Sequence, residues 1–227
     1  MSIITINTEK ERSISIPEGT KVLKYNLNKP LPKLNEGLEI LVCNNVLYLP
    51  DVLPSTLVEL VCNSAVSLPE KLPKGLKVLR CNTLTEIENN LPSTLEALEC
   101  DSVLRILCSL PDSIKRFSCN GINKITFDLP KKLRVLKIDS VTNLDFTILP
   151  KTLIALHCNK VTDVNLSKLS KLEEVSCVSA TCLETLPKSV KEVVCNTDSI
   201  IPSKVKDVNF IKMTTSMRER YIDLVAA

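Results

Sequence analysis

The sequence predicts a repeat solenoid: short strands stacked in parallel into one curved sheet, joined by irregular return loops on the convex side. Three observations carry this. Cys43, Cys62, Cys81, Cys100 and Cys119 are evenly spaced, Ile138 holds the next place at the same interval, and Cys158, Cys177 and Cys195 follow at nearly that interval. One word surrounds each position: LEILVCN from Leu38, LVELVCN from Leu57, LKVLRCN from Leu76, LEALECD from Leu95, IKRFSCN from Ile114, LRVLKID from Leu133, LIALHCN from Leu153, LEEVSCV from Leu172 and VKEVVCN from Val190. Weaker copies, TKVLKYN from Thr20 and VKDVNFI from Val205, bring the count to about eleven. A proline stands three places before nine of the eleven words, at Pro17, Pro54, Pro73, Pro92, Pro111, Pro130, Pro150, Pro187 and Pro202.

Within the word, side chains alternate across a strand, so the fourth residue and the sixth point inward while the third and fifth face solvent. Proline cannot donate to a ladder, so it belongs on the return path, outside the paired stretch. Stacking such turns buries one continuous core, and strands at about 4.8 Å spacing give an array on the order of 50 Å long. Eight cysteines in the sixth position form an inward column that also accepts Ile138, Tyr25 and Phe210. They read as small buried hydrophobes with side chains running parallel, a poor arrangement for disulfides. Cys108 and Cys182 fall outside the column and are expected in return loops.

Asn or Asp follows the sixth position in nine turns: Asn26, Asn44, Asn63, Asn82, Asp101, Asn120, Asp139, Asn159 and Asn196. This row reads as a ladder bonding the unpaired backbone of the neighbouring turn. Seven of the nine are Asn, which argues against a carboxylate site for calcium. Apolar residues follow shortly after, at Val46, Val66, Val103, Val141 and Val161. The open ends of the stack need caps. Residues 1–19, with Ile3, Ile4, Ile6, Ile14 and Ile16 around a polar run, predict an N-terminal β-hairpin cap; residues 20–210 hold the repeats. Residues 211–227, with Ser216 and Glu219 spaced as a capping box, predict a C-terminal helical cap. The whole is read as one structural domain.

The pattern LxxLxCNxVxxLxxxLPxx resembles the leucine-rich-repeat family. Its short length and its LP pair, as at Leu91-Pro92 and Leu110-Pro111, are most similar to the subclass in bacterial effectors such as the Yersinia outer proteins and the Shigella invasion-plasmid ubiquitin ligases. The likeness spans about residues 17–210. It differs in the loop after the strand, where Asn here follows the Cys at once. The resemblance implies a protein-binding scaffold, and an effector delivered into a host cell. The ligases of the family carry a large catalytic domain beyond the repeats, whereas only the short segment 211–227 follows Phe210 here, so that activity is not carried over.

Composition narrows the rest. A hydrophobic share of 44% excludes a disordered tail, and a net charge of +3 is too small by itself to argue for a polyanionic partner. Aromatics make up 3%, Trp is absent and His occurs once, which leaves few parts for base-stacking platforms or histidine metal sites. No phosphate-cradling glycine loop, HExxH or CxxC occurs, so no cofactor, metal or small-molecule substrate is expected. The opening MSIITINTEKER has no secretory leader pattern, and no apolar run reaches membrane-spanning length. A monomer in a reducing cytoplasm is expected.

Function is then expected on the two outward columns of the concave face. They give an apolar zone of Ile40, Val42 and Val61, a central zone of Val78, Arg80, Arg116, Val135 and Lys137 with His157 at its edge, and an acidic zone of Glu173, Glu174, Glu192 and Asp207. Apolar residues beside arginine suit a protein partner. Two alternatives stand beside this: substrate recognition for a ligase or other enzyme supplied in trans, and nucleic acid on the basic zone, which lacks interleaved aromatics. An enzyme would have to use His157 with Ser118 or Ser176, and no carboxylate orients that pair in the sequence, so no catalytic residue is assigned.

Overall fold

The computed structural model describes residues 2–12, 15–88, 91–200 and 207–213. These form two compact units, Met1–Ile114 and Lys115–Ala227. Both are stacks of parallel strands.

In the first unit the main sheet runs β1 (Ile3–Ile6), β2 (Val22–Tyr25), β3 (Ile40–Val42), β4 (Glu59–Val61), β5 (Val78–Arg80) and β7 (Ala97–Glu99). On the return side β6 (Glu86–Ile87) pairs with β8 (Arg105–Ile106). The register aligns Leu23, Leu41, Leu60, Leu79 and Leu98 across the sheet, and each is fully buried. Cys43, Cys62, Cys81 and Cys100 lie one place beyond their strands, also without solvent exposure. Burial pushes the Cys43 thiol up to about 12 and raises that of Cys62 further. These sulfurs are packing groups, and none of the four is in a disulfide.

Two tight turns per repeat hold the strand in place. The proline-led turn closes when the carbonyl of Pro54, Pro73 or Pro92 accepts the N–H of the word's first leucine, as in Leu57 N–H to Pro54 O at 3.1 Å. The second closes when the carbonyl at the sixth position accepts from three places on, as in Val46 N–H to Cys43 O at 3.1 Å. In the turn after Cys62 the buried apolar residue is Ala65, and Val66, one place later, is exposed: the fixed turn length selects Ala65. The amide ladder runs beside these turns, with Asn63 N–H to Asn44 Oδ1, Asn82 N–H to Asn63 Oδ1, and Asp101 N–H to Asn82 Oδ1. A second ladder has no counterpart in the sequence reading. Hydroxyls just before the word, on Thr56, Thr94 and Ser113, donate to the carbonyls of Leu38, Leu76 and Leu95 in the preceding turn.

Among the described residues no N-terminal hairpin is present. Strand β1 pairs in parallel with β2, Ile4 opposite Leu23 and Ile6 opposite Tyr25, and the short helix α1 (Glu9–Arg12) follows it. The reason lies in MSIITIN, which is itself a copy of the word: Ile4 and Ile6 take the fourth and sixth places. Asn7 takes the ladder place and accepts from Asn26 Nδ2 at 2.7 Å. Ile14 lies outside the described residues.

In the second unit the main sheet runs β9 (Arg116–Ser118), β10 (Val135–Lys137), β11 (Ala155–His157), β13 (Glu174–Cys177), β15 (Glu192–Asn196) and β16 (Asn209–Met213). On the return side β12 (Asp163–Asn165) pairs with β14 (Cys182–Thr185). Cys182, expected in a loop, thus opens a strand, while Cys108 is half-buried in a loop of the first unit. A 3-10 turn, η1 (Phe146–Ile148), occupies the return segment before Pro150, capped by Asp145. Phe117, Leu136, Leu156, Val175 and Val193 form the inward row, and Phe117 packs edge-on against Phe127.

The last repeat is shifted by two places from its expected alignment. Phe210 pairs with Val193 in the fourth place, and Lys212 takes the sixth opposite Cys195. Asn209 and Ile211 therefore occupy the outward columns, and Asp207 precedes the strand. The observed step from Val193 to Phe210 is closer to the usual repeat length than the step from Val190 to Val205, which the expected alignment requires. Ile211 and Lys212 continue β16, and the helix expected over residues 211–227 otherwise lies outside the described residues, as does Pro202. Among the described residues no helix is long and apolar enough to cross a membrane.

Candidate functional site

The outward columns of each unit are built by the register itself. In the first unit, Ile40 is flanked by Val22 and Glu59, Val42 by Lys24 and Val61, and Val61 by Val42 and Arg80. The parallel spacing sets same-column side chains shoulder to shoulder, and they shade one another. Ile40, Val42 and Val78 are half-buried, and Val61, expected to be exposed, keeps only 7% exposure between Val42 and Arg80. The apolar zone is thus a thin seam.

Arg80 is not a free cation. Its Nη1 donates to Glu59 Oε1 at 2.9 Å and its Nε to Glu99 Oε2 at 2.8 Å, a cross-strand Glu–Arg–Glu row over β4, β5 and β7. Glu59 and Glu99 stand in the two outward columns next to Arg80, so the row carries one net negative charge. Lys21 with Glu39, at 2.8 Å, and Lys77 with Glu96, at 4.0 Å, neutralise further cations. Among the described residues the basic character expected around Arg80 is therefore neutralised by neighbouring carboxylates.

In the second unit the outward face carries two cations on adjacent strands. Arg116 is exposed on β9, Lys137 is half-buried on β10, and Val135 lies half-buried beside Arg116 in the same column. Across β11, Glu174 is exposed and Glu192 half-buried, while Glu173 is paired with Lys191 at 2.6 Å. His157 stands between, with Lys137 on one side and Ser176 on the other. Burial lowers the imidazole's affinity for a proton and Lys137 adds to this, while the Asp139 and Glu174 carboxylates act the other way. The Ser176 hydroxyl donates to Asn159 Oδ1 at 2.7 Å, and the buried His157 Nδ1 has no hydrogen-bond partner among the described residues. The serine and histidine thus share a register position without forming a nucleophile–base pair.

Beneath that face the amide ladder is buried. Asp139 N–H donates to Asn120 Oδ1, Asn159 N–H to Asp139 Oδ1, and Val178 N–H to Asn159 Oδ1. Asn159 retains 1% exposure. Sequence reasoning identified this row, and its structural role holds.

These strands, turns and ladders define a leucine-rich-repeat solenoid. Two solved structures share the fold. One is YopM from Yersinia enterocolitica WA-314, at 19% identity and a TM-score of 0.54, covering 88% of this chain and 57% of that one. The other is CroV588, described as a circular leucine-rich-repeat protein, at 16% identity and a TM-score of 0.52, covering 88% of this chain and 40% of that one. The chain thus spans little more than half of the first and less than half of the second. No protein-family model matches the sequence, and no curated protein matches it.

Proposed function

We propose that the chain is a non-enzymatic protein-interaction module that binds a protein partner on its outward strand faces. The observation that carries this is the face of the second unit. Arg116 and Lys137 stand on adjacent strands beside Val135 and His157, with Glu174 and Glu192 further along, a bipolar and partly apolar strip suited to a protein rather than a polyanion. In the first unit Ile40, Val42 and Val78 offer contact area, Val61 packs between Val42 and Arg80, and Arg80 holds the neighbouring carboxylates in place. The effector reading, with action inside a host cell, rests on the resemblance of the repeat to that subclass, and the YopM-like fold supports it.

The test separates the units. Intact protein and an Arg116→Glu/Lys137→Glu variant are used to capture partners from a eukaryotic lysate, with thermal unfolding measured in parallel. A partner that binds the intact chain and is lost from the variant, at unchanged stability, is the expected result. Equal capture by both would overturn the assignment to this face. Arg80 is kept out of the variant because its replacement also breaks the Glu59–Arg80–Glu99 row. Recognition in trans for a ligase is the second reading, and it would add a ligase subunit to the captured set.

A further inference from the structure

The first unit carries its most exposed apolar residues away from the outward columns, on the side where the chain leaves the strands. Tyr48 and Val52 are 71% and 81% exposed beside Leu47 and Val66, and Leu104 and Leu107 are about as exposed two turns further on. Between the two sets lies a cleft of about 260 Å³, bounded by Val66–Leu68 on one turn and Leu84–Glu88 on the next. Hydrogen bonding explains the gap. Val66 N–H donates to Leu47 O at 3.0 Å, and Leu104 N–H donates to Thr85 O at 2.8 Å, yet among the described residues no backbone bond joins Thr85 to Val66. The return-side pairing breaks at this step, leaving β6 with an open edge.

What faces that edge follows from alternation. Thr85 and Ile87 turn their carbonyls toward β8, where they accept from Leu104 and Leu107. Glu86 between them therefore turns its own N–H and carbonyl toward the cleft. The Glu86 carboxylate is occupied by Arg105, whose Nε donates at 2.9 Å. The Glu88 carboxylate is exposed at the rim, with no ion pair among the described residues. The cleft thus offers the exposed side chain of Val66, a backbone carbonyl acceptor and a carboxylate.

We propose that this inter-turn cleft receives an arginine side chain of a partner protein. The aliphatic stem lies along the exposed Val66, and the guanidinium donates to the Glu88 carboxylate and the Glu86 carbonyl together. Two acceptors of different kinds call for a planar fork of donors, which arginine has and the point charge of lysine lacks. The flanking Leu47 and Tyr48 on one side and Leu104 and Leu107 on the other hold apolar residues next to that arginine, the composition of a binding hot spot. This surface is separate from the outward strand faces, so the two proposals fail independently.

The test is an amide-shift titration of the full chain with N-acetyl-arginine methylamide, run beside its citrulline and lysine counterparts. The arginine probe should perturb Ser67, Glu86 and Glu88 and saturate in the millimolar range, with the neutral citrulline probe about fivefold weaker. Glu88→Gln should erase that difference, and Ser67→Tyr, which fills the cleft from an exposed position, should abolish the shifts. Equal affinity for citrulline, shifts centred on other carboxylates, or binding that survives Ser67→Tyr would each overturn the proposal.

Discussion

The Nε of Arg80 donates to Glu99 Oε2 at 2.8 Å, across one strand spacing of a parallel sheet. The same side chain reaches Glu59 on the opposite neighbour, so a residue that reads as a binding cation in the sequence is a cross-strand tie in the fold. Arg80→Glu would set three carboxylates side by side on β4, β5 and β7. We expect a loss of about 1–2 kcal/mol, since each pair at this exposure contributes well under that and like charges then repel. Urea unfolding at low and high salt checks it: the loss should shrink as salt screens the row.

Asn82 tests the amide ladder. Its Oδ1 accepts the Asp101 N–H at 3.1 Å. Asn82→Ala should cost about 1 kcal/mol, while Asn82→Asp keeps the acceptor, as Asp139 does in the second unit, but sets a carboxylate beside Asp101 and should recover only part of that cost. Asn159→Ala should cost more, about 2–3 kcal/mol, since it strands both the Ser176 hydroxyl and the Val178 N–H in a buried site. Denaturant midpoints of the three variants rank them.

The cysteine column makes the fold sensitive to alkali. Burial raises the thiols of Cys43 and Cys177 from the ordinary 9.0 to about 12. The unfolded chain therefore releases those protons first, and stability should fall as pH rises from about 9 toward 12, by up to about 1.4 kcal/mol per pH unit for each thiol. Iodoacetamide labelling followed by mass spectrometry should find Cys108 and Cys182, both half-buried, modified long before Cys43 or Cys158.

His157 acts at the other end of the scale. Its proton affinity in the fold is lowered, chiefly by burial, so the unfolded chain takes up the proton first as pH falls below about 6.5. Stability should decline through that range, and His157→Gln should remove this part of the decline. Unfolding midpoints measured from pH 7 down to 5 for both proteins show whether it does.

The periodicity of Leu and Cys made the strands, the inward column and the amide row legible, because a parallel stack repeats one environment and the sequence repeats with it. What escaped had no repeated letter to announce it. MSIITIN lacks Leu and Cys, yet hydrophobic shape suffices in the fourth and sixth places, so Ile4 and Ile6 extend the sheet. The shift at Phe210 escaped because Val208 also satisfies the word, and only pairing with Val193 separates the two alignments. Partial burial on the outward face depends on neighbours in adjacent turns. Val61 is shaded and Arg80 paired by residues a full repeat away in the chain, a distance at which outward positions carry no common pattern.

The proline-led turn has a consequence for how such a chain can change in length. The step from Leu136 to Leu156 is one place longer than the usual repeat and the step from Val175 to Val193 one place shorter, yet both pairs meet in unbroken register. Each turn resets the chain before the next strand begins, so an added or missing residue on the return path is absorbed before it reaches the sheet. A whole unit is then as easy to gain or lose as one residue. Tandem duplication of one repeat's worth of codons would insert a finished strand with its own turns and ladder rungs, and the neighbours on either side would find the partners they had before.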